Sequence, residues 1–272
     1  MALQAPPTSV ADRPRAFVRI SGPQAEDFLQ RMVSNDVAAL RPGASCDALL
    51  LTPKARVVAL LRVLRRGEDD FLLLTEPELG TVVRDHLVRF RFAAQAEIEP
   101  EEHTSYLLLG AYAQPPAGAT AIRSEDYGIP AFEVLDAEPA ADEWLEWDEL
   151  ELLRILAGTP RHGREIDDRV LPAEAGLVER TVSLTKGCYP GQEPVARLHF
   201  RGHANRGLRR LRIEDTTPPE QDAELLYEGK AVGRVTSAVA SEGSVLALAY
   251  VRTEVPDSAE LRVGDAVARP LH

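Results

Sequence analysis

The sequence predicts an α+β body of about 200 residues followed by a small antiparallel β-barrel. Within the body, apolar runs of strand length alternate with segments whose apolar residues recur every three or four positions. Beyond residue 200 this helical period disappears. Short strands separated by Gly, Ser, Asp and Pro follow, namely "GLRRLRI", "ELLY", "KAVGRVTSAVA", "SVLALAYV" and "ELRVG". Such spacing is typical of a small barrel.

The first half of the body is predicted to contain a strand, a helix, three strands and a second helix. "RAFVRI" (15–20) is a short β-like run, and Ser21 can cap the helix that follows, with Pro23 in its first turn. The apolar runs "ALLLT" (48–52), "RVVALLRVL" (56–64) and "FLLLT" (71–75) predict buried strands. The second helix is marked by Leu79, Val82, Val83, Leu87 and Phe90.

The second half of the body contains two further strand candidates, "YLLLG" and "AFEVL" (131–135). The strongest helical pattern in the chain is "ADEWLEWDELELLRILAG" (141–158), where Gly158 is well placed to end the helix. Its two tryptophans, Trp144 and Trp147, are predicted to anchor the core rather than to stack on a ligand.

Composition excludes several functional classes. The net charge of −12 disfavours general binding to nucleic acid or to an anionic membrane surface. The two cysteines, Cys46 and Cys188, do not form a disulfide framework and are too few for conventional all-cysteine ligation of an iron–sulfur cluster. No apolar run approaches the roughly 20 residues of a membrane helix. The first 15 residues lack the features of a secretion signal, so we expect a cytoplasmic protein.

The segment "TKGCYPGQE" (185–193) is the strongest candidate site. Pro190 and Gly191 suit the second and third positions of a tight turn, which would hold Cys188 and Gln192 at its ends. If the approach to the turn is extended, Lys186 points to the same side as Cys188 and can lower the pKa of its thiol. Local chemistry leaves two interpretations open, a reactive thiol beside a lysine or a turn whose cysteine is buried and inert.

An arginine-rich strip follows, "VARLHFRGHANRGLRRLR" (195–212). It could bind a carboxylate or phosphate ligand or an acidic partner, or it could be a solvated strand pair whose arginines pair with acids elsewhere. Cys188, His199 and His203 match no structural zinc spacing, so we expect no metal site. Motifs for dinucleotide binding, for a phosphate-binding P-loop and for a hydrolase nucleophile elbow are absent from the sequence.

The residues in and around this turn resemble a known family. "TKGCYPGQEPVARLHFRG" closely resembles the K-G-C-Y-x-G-Q-E signature of the YgfZ family, the folate-binding relatives of the glycine-cleavage T-protein. Weaker likenesses occur in the same order along the chain in "GPQAEDFLQRMVSNDVAAL", "ALLLTPKARV", "LLRILAGTPRHGREI" and "GKAVGRVTSAVASEGSVLALAYV".

The resemblance implies a ring of three subdomains around a central folate pocket. Residues 1–200 would form the body, with one subdomain from 1–47 plus 112–200 and another from 48–111, and residues 201–272 would form the barrel. It also implies a factor that assists iron–sulfur cluster assembly or repair, with tetrahydrofolate or a one-carbon derivative as cofactor. Its partners would be iron–sulfur client or assembly proteins.

The same resemblance assigns roles to individual positions. It makes Cys188 the key thiol and Lys186 the residue that tunes it. The residues that it places at the folate are Glu133, Arg154, Tyr189, Gln192, Glu193 and Arg197.

The sequence departs from T-proteins where their aminomethyl chemistry needs acids. T-proteins carry an acidic pair on an early strand, and here Ala59 and Leu60 stand at the matching places. Leu156 replaces the glutamate of the R-x-E-A-G segment. Without a carboxyl group to orient and protonate folate nitrogens, transfer would lose its acid. A folate-dependent aminomethyl- or methyltransferase with an acid from elsewhere is the alternative, and a pure interaction scaffold is a third interpretation.

Overall fold

The computed structural model describes residues 7–271, which form two five-stranded sheets, a closed six-stranded barrel and five α-helices. The strands are β1 (Ser9–Asp12), β2 (Ala16–Ser21), β3 (Ser45–Leu51), β4 (Val57–Arg65), β5 (Asp70–Thr75), β6 (Glu97–Glu101), β7 (Ser105–Leu109), β8 (Thr120–Ser124), β9 (Ala131–Leu135), β10 (Glu143–Trp144), β11 (Arg206–Ile213), β12 (Glu224–Tyr227), β13 (Lys230–Ser241), β14 (Ser244–Arg252), β15 (Leu261–Val263) and β16 (Ala266–Pro270). The helices are α1 (Ala25–Met32), α2 (Gly80–Arg91), α3 (Trp147–Ala157), α4 (Val178–Thr181) and α5 (Gln192–Arg201).

The first sheet has the order β3-β4-β5-β2-β6, and its neighbouring strands run antiparallel. Helices α1 and α2 pack on it, because each presents an apolar face, as with Phe28 and Leu29 on α1 and Val83 and Leu87 on α2. Strand β4 is buried along most of its length, which explains its nearly continuous apolar sequence.

The second sheet has the order β10-β1-β7-β9-β8 and combines the start of the chain with residues beyond 104. Helix α3 lies between this sheet and the barrel. Its Leu150 packs with Ala11 and Leu107 of the sheet, whereas Ile155 packs with Leu246 and Leu248 of the barrel. This helix therefore joins two parts of the fold.

The barrel closes in the order β11-β14-β13-β12-β15-β16 around an apolar interior that includes Leu211, Leu225, Val235 and Leu261. The predicted α+β fold that ends in an antiparallel barrel is confirmed by this architecture.

The sheets group the chain differently from the expected subdomains of 1–47 plus 112–200 and 48–111. β2 and β3 belong to the first sheet with β4 to β6, whereas β1 and β7 belong to the second sheet. The body therefore divides near residues 13–15 and 102–104, because β2 pairs with β5 and β1 pairs with β7. Regular barrel structure begins at Arg206, a few residues after the expected boundary at 201.

Several local predictions need correction. Helix α3 covers 147–157 rather than 141–158, because Glu143 and Trp144 pair with β1 as the short strand β10. Glu146 caps the helix with a reciprocal capping box, and Gly158 ends it in the left-handed conformation, as predicted. Ser21 lies in β2 and does not cap α1, whose preceding residue is Gln24.

The part of the chain between 7 and 271 has no helix long and apolar enough to cross a membrane. Residues 192–201 form helix α5, so the first part of the 195–212 strip is helical rather than one strand of a pair. It begins directly after Gly191, so the turn of the candidate site leads into a helix.

Candidate functional site

A central cavity lies between the two sheets, α3 and the loop that follows α3. Its apolar walls come from Leu60, Leu61, Tyr127, Trp147 and Leu150. Its charged walls come from Arg13, Arg15, Asp47, Arg62, Glu76, Asp126, Glu151, Arg154, Arg161 and Arg180. Flat apolar surfaces beside fixed charges suit a planar ligand that carries polar edges.

Two arginines at the junction of β1 and β2 organise one side of this cavity. Arg13 binds Glu76 at 2.7 Å, and Arg15 contacts the same glutamate at 3.3 Å and binds Glu133 at 2.8 Å. Although burial opposes ionisation, Arg13 and Arg15 lower the pKa of Glu76 to about 2. This carboxyl group is therefore an anion near neutral pH.

A second arginine cluster adjoins the first at Glu133. Arg62 binds Asp47 at 2.9 Å and Asp126 at 3.2 Å, and Arg180 binds Asp126 at 2.7 Å. Burial alone would raise the pKa of Asp126, but Arg62 and Arg180 lower it to about 2. Asp126 is therefore held in its charged form and is a poor proton donor.

One donor in this cluster lacks a partner. Among the described residues, the Nη1 of Arg62 makes no hydrogen bond, although it is buried and the side chain is only 7% exposed. The nearest carboxylate oxygen belongs to Glu133, at 3.7 Å. A buried donor left without an acceptor costs free energy, and this one faces the buried carboxylate of Glu133.

Glu133, expected to contact the ligand, is 1% exposed and lies behind the wall of this cavity. Its carboxylate accepts hydrogen bonds from Arg15 and from the hydroxyl of Ser105, at 2.8 and 3.1 Å. Although burial opposes ionisation, the neighbouring arginines lower its pKa. In this arrangement Glu133 orients Arg15 rather than facing the cavity.

Arg154 borders the cavity, but all five of its N–H donors are used within the protein. It binds Glu151 in a bidentate pair at 2.7 and 2.9 Å, and Glu165 at 3.0 Å. Its remaining donors bind the carbonyl of Thr159 and, at 2.7 Å, the hydroxyl of Ser237 on β13. The expected contact of Arg154 with a ligand is therefore not favoured, and its bonds tie α3 to the barrel.

The turn of the signature segment has the geometry that its sequence predicts. Gly191 has φ +83 and ψ 1, and the amide of Gln192 donates to the carbonyl of Tyr189 at 3.3 Å. These values describe a type II turn with Pro190 and Gly191 at its centre. The ends of the turn are therefore Tyr189 and Gln192, and Cys188 lies one residue before it.

Lys186 is buried and points into the protein. Its ammonium group donates to the backbone carbonyls of Val33 and Asn35, at 2.8 and 2.6 Å. Burial lowers the pKa of Lys186 to about 8 against the attraction of Asp36 and Cys46. These contacts do not support the expected activation of Cys188, because the thiol whose pKa the lysine charge lowers is that of Cys46.

Cys46 is not a reactive thiol in this environment. Burial and the neighbouring Asp47 raise its pKa to about 12, despite the opposite effect of Lys186. Cys188, in contrast, is exposed. The interpretation of Cys188 as buried and inert is therefore wrong as to burial.

The other residues expected at a ligand lie around the turn, away from the walls of the central cavity. Tyr189 is buried in an apolar cluster with Leu49 and Leu51, and the Gln192 side chain approaches the carbonyl of Lys186 at 3.5 Å. On exposed turns of α5, Glu193 and Arg197 bind each other at 2.5 Å. The structure thus separates Glu133 and Arg154 from the residues of the signature.

The strand that carries an acidic pair in T-proteins has an apolar surface here. Leu60 lines the central cavity, and Ala59 is buried in the core of the first sheet. Leu156 is partly exposed near the end of α3, where its carbonyl accepts a 2.7 Å hydrogen bond from Arg210. The two acids of the T-protein strand are therefore replaced by apolar side chains, and one of these, Leu60, forms part of the cavity wall.

Most arginines of the 195–212 strip pair within the protein. Arg206 binds Glu174 at 3.0 Å, Arg209 binds Asp257 at 3.0 Å, and Arg210 binds the carbonyl of Leu156. These contacts favour a structural role for the paired arginines, although the segment is a helix followed by one strand rather than a strand pair.

Several residues of the cavity carry no recognisable sequence signal. Arg62 and Asp126 lie in different segments that only the folded sheets bring together. The pair Arg13 and Arg15 flanks Pro14 between two strands, and this spacing is the one local hint of an interior site. Trp147, expected in the core, is half exposed and lines the cavity.

Comparison with known proteins gives consistent results, although no family model matches the chain. The chain is 28% identical over 291 residues to the tRNA-modifying protein YgfZ of Edwardsiella ictaluri, covering 91% of this chain and 85% of that protein. It is 26% identical over 267 residues to the human mitochondrial iron–sulfur cluster assembly factor IBA57, covering 85% and 75%.

A solved structure shares the fold. The glycine cleavage system aminomethyltransferase T from Bartonella henselae superimposes with a TM-score of 0.83 at 20% identity, covering 98% of this chain and 86% of that chain. Similarity of sequence and similarity of fold therefore point in the same direction, and the predicted resemblance is confirmed.

Proposed function

Because the chain is a YgfZ- and T-protein-like protein, we propose that it binds a reduced folate in the central cavity and assists iron–sulfur cluster assembly or repair in client proteins. The single observation that carries the proposal is a cavity that combines flat apolar side chains and fixed arginines with Leu60 at the place of a T-protein acid. The first feature favours a ligand, and the second disfavours T-protein chemistry.

The residues of the cavity fit a folate. Leu60, Tyr127 and Trp147 offer surfaces for flat rings, and Arg62 contributes a positive charge to the cavity wall. A bound reduced folate would supply a carrier for one-carbon units. The protein would contribute binding, orientation and exclusion of water.

Aminomethyl transfer, the alternative function, needs an acid that this cavity does not offer. Against the effect of burial, nearby arginines lower the pKa of Glu76 and Asp126 to about 2, and Arg154 lowers that of Glu151. These three carboxyl groups stay ionised near neutral pH and do not donate protons efficiently. The cavity therefore suits binding better than catalysis.

Cys188 is proposed to act at the exposed turn, where another protein can reach its thiol. Lys186 acts differently from the sequence-based expectation. By binding Val33 and Asn35, it fixes the segment that carries Cys188 against the end of α1. We therefore treat Lys186 as a positioning residue.

Folate binding is tested by calorimetric titration with tetrahydrofolate. Arg62→Met should weaken binding about tenfold or more, because it removes a positive charge from the cavity wall and leaves Asp47 and Asp126 without this partner. Arg19→Met is the matched control, because Arg19 pairs with Asp70 at a partly exposed site outside the cavity. Absence of heat at millimolar ligand would instead favour the scaffold interpretation.

The role in cluster assembly is tested in a deletion strain by the activity of an iron–sulfur enzyme. Wild-type protein and Cys46→Ala should restore activity, whereas Cys188→Ala should not. Equal restoration by Cys188→Ala would remove the thiol from the proposal. Production of methylene-tetrahydrofolate from an aminomethylated carrier would favour the transferase alternative.

A further inference from the structure

His103 lies in the short segment that joins the two sheets of the body. Strand β6 of the first sheet ends at Glu101, and strand β7 of the second sheet begins at Ser105. The ring of His103 packs edge-on against Phe17 of β2, with the two ring centres 5.0 Å apart. Phe17 is 3% exposed and belongs to an apolar cluster that also contains Leu135 of the second sheet. The histidine ring therefore packs against the core that the two sheets share.

Each ring nitrogen of His103 faces a carboxylate from a different sheet. The Nδ1 atom lies 2.6 Å from Oδ2 of Asp136, which directly follows β9 of the second sheet. The Nε2 atom lies 3.1 Å from Oε2 of Glu101, at the end of β6 in the first sheet. Only 18% of the histidine side chain is exposed, so both contacts are partly shielded from solvent. We call these two contacts the His103 bridge.

Only the doubly protonated ring can satisfy both contacts of the bridge. A neutral imidazole donates from one nitrogen and keeps a lone pair on the other, and an ionised carboxylate can only accept. The imidazolium ion donates from both nitrogens, and each hydrogen bond is then strengthened by charge. Although burial opposes protonation, Asp136 and Glu101 raise the pKa of His103. The geometry therefore favours the charged histidine.

Asp136 is held in place for this contact by the segment that carries His103. Its backbone has φ +57, a left-handed conformation that aspartate tolerates better than most residues. Its Oδ1 accepts a 3.0 Å hydrogen bond from the amide of Thr104, and its own amide donates to the carbonyl of Thr104 at 3.0 Å. Burial opposes ionisation, but His103 and Thr104 lower the pKa of Asp136. The carboxylate is therefore an oriented anion.

The other charged groups around the bridge keep their charge near neutral pH. Arg66 holds Glu101 in a bidentate pair at 2.8 and 3.2 Å, and Arg19 lies 3.9 Å from the same carboxylate. Asp70 accepts hydrogen bonds from both arginines, at 3.1 and 3.0 Å. Against the effect of burial, these arginines lower the pKa of Asp70, and Arg66 lowers that of Glu101. Within this group of residues, His103 is therefore the one whose charge changes near neutral pH.

We propose that His103 is a proton-dependent bridge between the two sheets of the body. The protonated ring joins Glu101 to Asp136, whereas a neutral ring can keep only one of the two hydrogen bonds. Loss of the proton therefore loosens the junction. Because the central cavity lies between the same two sheets, a looser junction lets its walls move relative to each other. The bridge needs no ligand in the cavity, so its test is independent of the proposed function.

The first test is an NMR titration of the histidine rings, in which His103→Gln identifies the signal of His103. Its pKa should lie above the ordinary value of 6.5. Asp136→Asn keeps an acceptor for the amide of Thr104 but removes the negative charge, so it should lower the pKa of His103. A pKa of 6.5 or below in the wild type would overturn the proposal, because the bridge would then be neutral at pH 7.

The second test is thermal unfolding at about pH 5.5 and about pH 9. Because the pKa is raised in the folded state, the bridge stabilises fully below the unfolded pKa and is lost as the pH rises through the folded pKa. Wild type should melt about 2–4 °C above His103→Gln at the lower pH and within about 1 °C of it at the higher pH. His199→Gln, at an exposed position of α5, is the control and should follow the wild type at both.

Hydrogen exchange measured by mass spectrometry locates the effect. At about pH 5.5 the amides of 102–106 should exchange about threefold to tenfold faster in His103→Gln than in wild type, while those of the barrel are unchanged. At about pH 9 the two proteins should exchange alike. Equal exchange at the lower pH, or a difference in melting temperature that is the same at both pH values, would show that the charge of His103 does not hold the sheets together.

Discussion

The ammonium group of Lys186 lies 2.6 Å from the carbonyl oxygen of Asn35, a residue 151 positions earlier in the chain. A second bond of 2.8 Å joins it to the carbonyl of Val33, where α1 ends. The lysine of the signature therefore holds two distant segments together. This contact fixes the segment that carries Cys188, just before the turn, against the end of α1.

Replacing this lysine should destabilise the fold. Lys186→Met keeps the length of the side chain but leaves two buried carbonyls without their donor, and we expect a loss of about 1–3 kcal/mol in the free energy of unfolding. Urea denaturation measures it. Lys230→Met at an exposed position of β13 should change stability by less than about 0.5 kcal/mol. An equally small effect of Lys186→Met would contradict the structural role.

The same lysine should make stability depend on alkaline pH. Its pKa is lowered from 10.5 to about 8 by burial, so between these values the unfolded state binds the proton more tightly than the folded state. The free energy of unfolding of the wild type, relative to that of Lys186→Met, should therefore increase as the pH rises from about 8 to 10.5. Urea denaturation of both proteins at several pH values measures the difference. A difference that stays constant across this range would argue against the lowered pKa.

Gly191 should not tolerate a side chain. Its φ is +83, and a β-carbon would lie 2.7 Å from the carbonyl oxygen of Thr52. Gly191→Ala should therefore cost more than about 2 kcal/mol, the sum of backbone strain and a clash with a fixed atom. Gly43 is the control, because its φ is +85 but open space surrounds it. Gly43→Ala therefore measures the backbone strain without a clash and should cost only about 1 kcal/mol. Equal losses for the two variants, measured by thermal unfolding, would show that the clash is relieved.

Acid should weaken the arginine clusters of the cavity. The pKa of Asp126 is about 2 in the folded state, below its ordinary value, so its stabilising effect is complete above about pH 5. It is lost as the pH falls towards 2. Asp126→Asn leaves Arg62 and Arg180 without this partner and should cost about 3 kcal/mol at pH 7. The gap to wild type should close as the pH approaches 2, and denaturant titrations at both pH values measure it.

The exposed Asp257 provides the control for this experiment, because its partner Arg209 lies at the surface of the barrel. Asp257→Asn should have little effect at either pH. A gap for Asp126→Asn that stays constant down to pH 2 would mean that the carboxylate is not stabilised by its arginines.

The buried pair of Arg154 and Glu165 should behave as one unit. Glu165 is 0% exposed and accepts hydrogen bonds from Arg154 and from the hydroxyl of Ser237. Arg154→Met should cost about 3–5 kcal/mol, because it leaves a buried carboxylate uncompensated. Adding Glu165→Gln should recover part of that loss in a double-mutant cycle. Simple additivity of the two losses would show that the residues are not coupled.

Much of the fold can be predicted from local patterns. The strands of the first sheet and the barrel follow from apolar runs bounded by turn residues, and Gly158 and Gly191 adopt the left-handed conformations that their contexts require. Helix α5 is harder to predict from the sequence, because the turn formers of 185–191 obscure the point at which it begins. The pairing of β1 with β7 is not indicated by any local pattern, because the two strands lie far apart along the chain.

Local sequence patterns also predict only part of the candidate site. The signature locates the turn and predicts its geometry. It does not predict the direction of the Lys186 side chain, which an extended approach to the turn would place beside Cys188 but which points into the protein. The cavity is built from Arg62, Asp126 and Trp147, which lie in three separate segments. The helical period of 141–158 predicts a core position for Trp147, but the period is interrupted by the short strand β10.

The second sheet has a consequence for how the protein is made. β1 lies inside that sheet, between β10 and β7, although it comes from the start of the chain. During translation this strand leaves the ribosome about a hundred residues before either neighbour has been synthesised. The first sheet, whose strands lie between 16 and 101, can assemble in the meantime. Strand β1 is therefore synthesised early but pairs late, and the cavity that Arg13 lines can form only after β1 has paired.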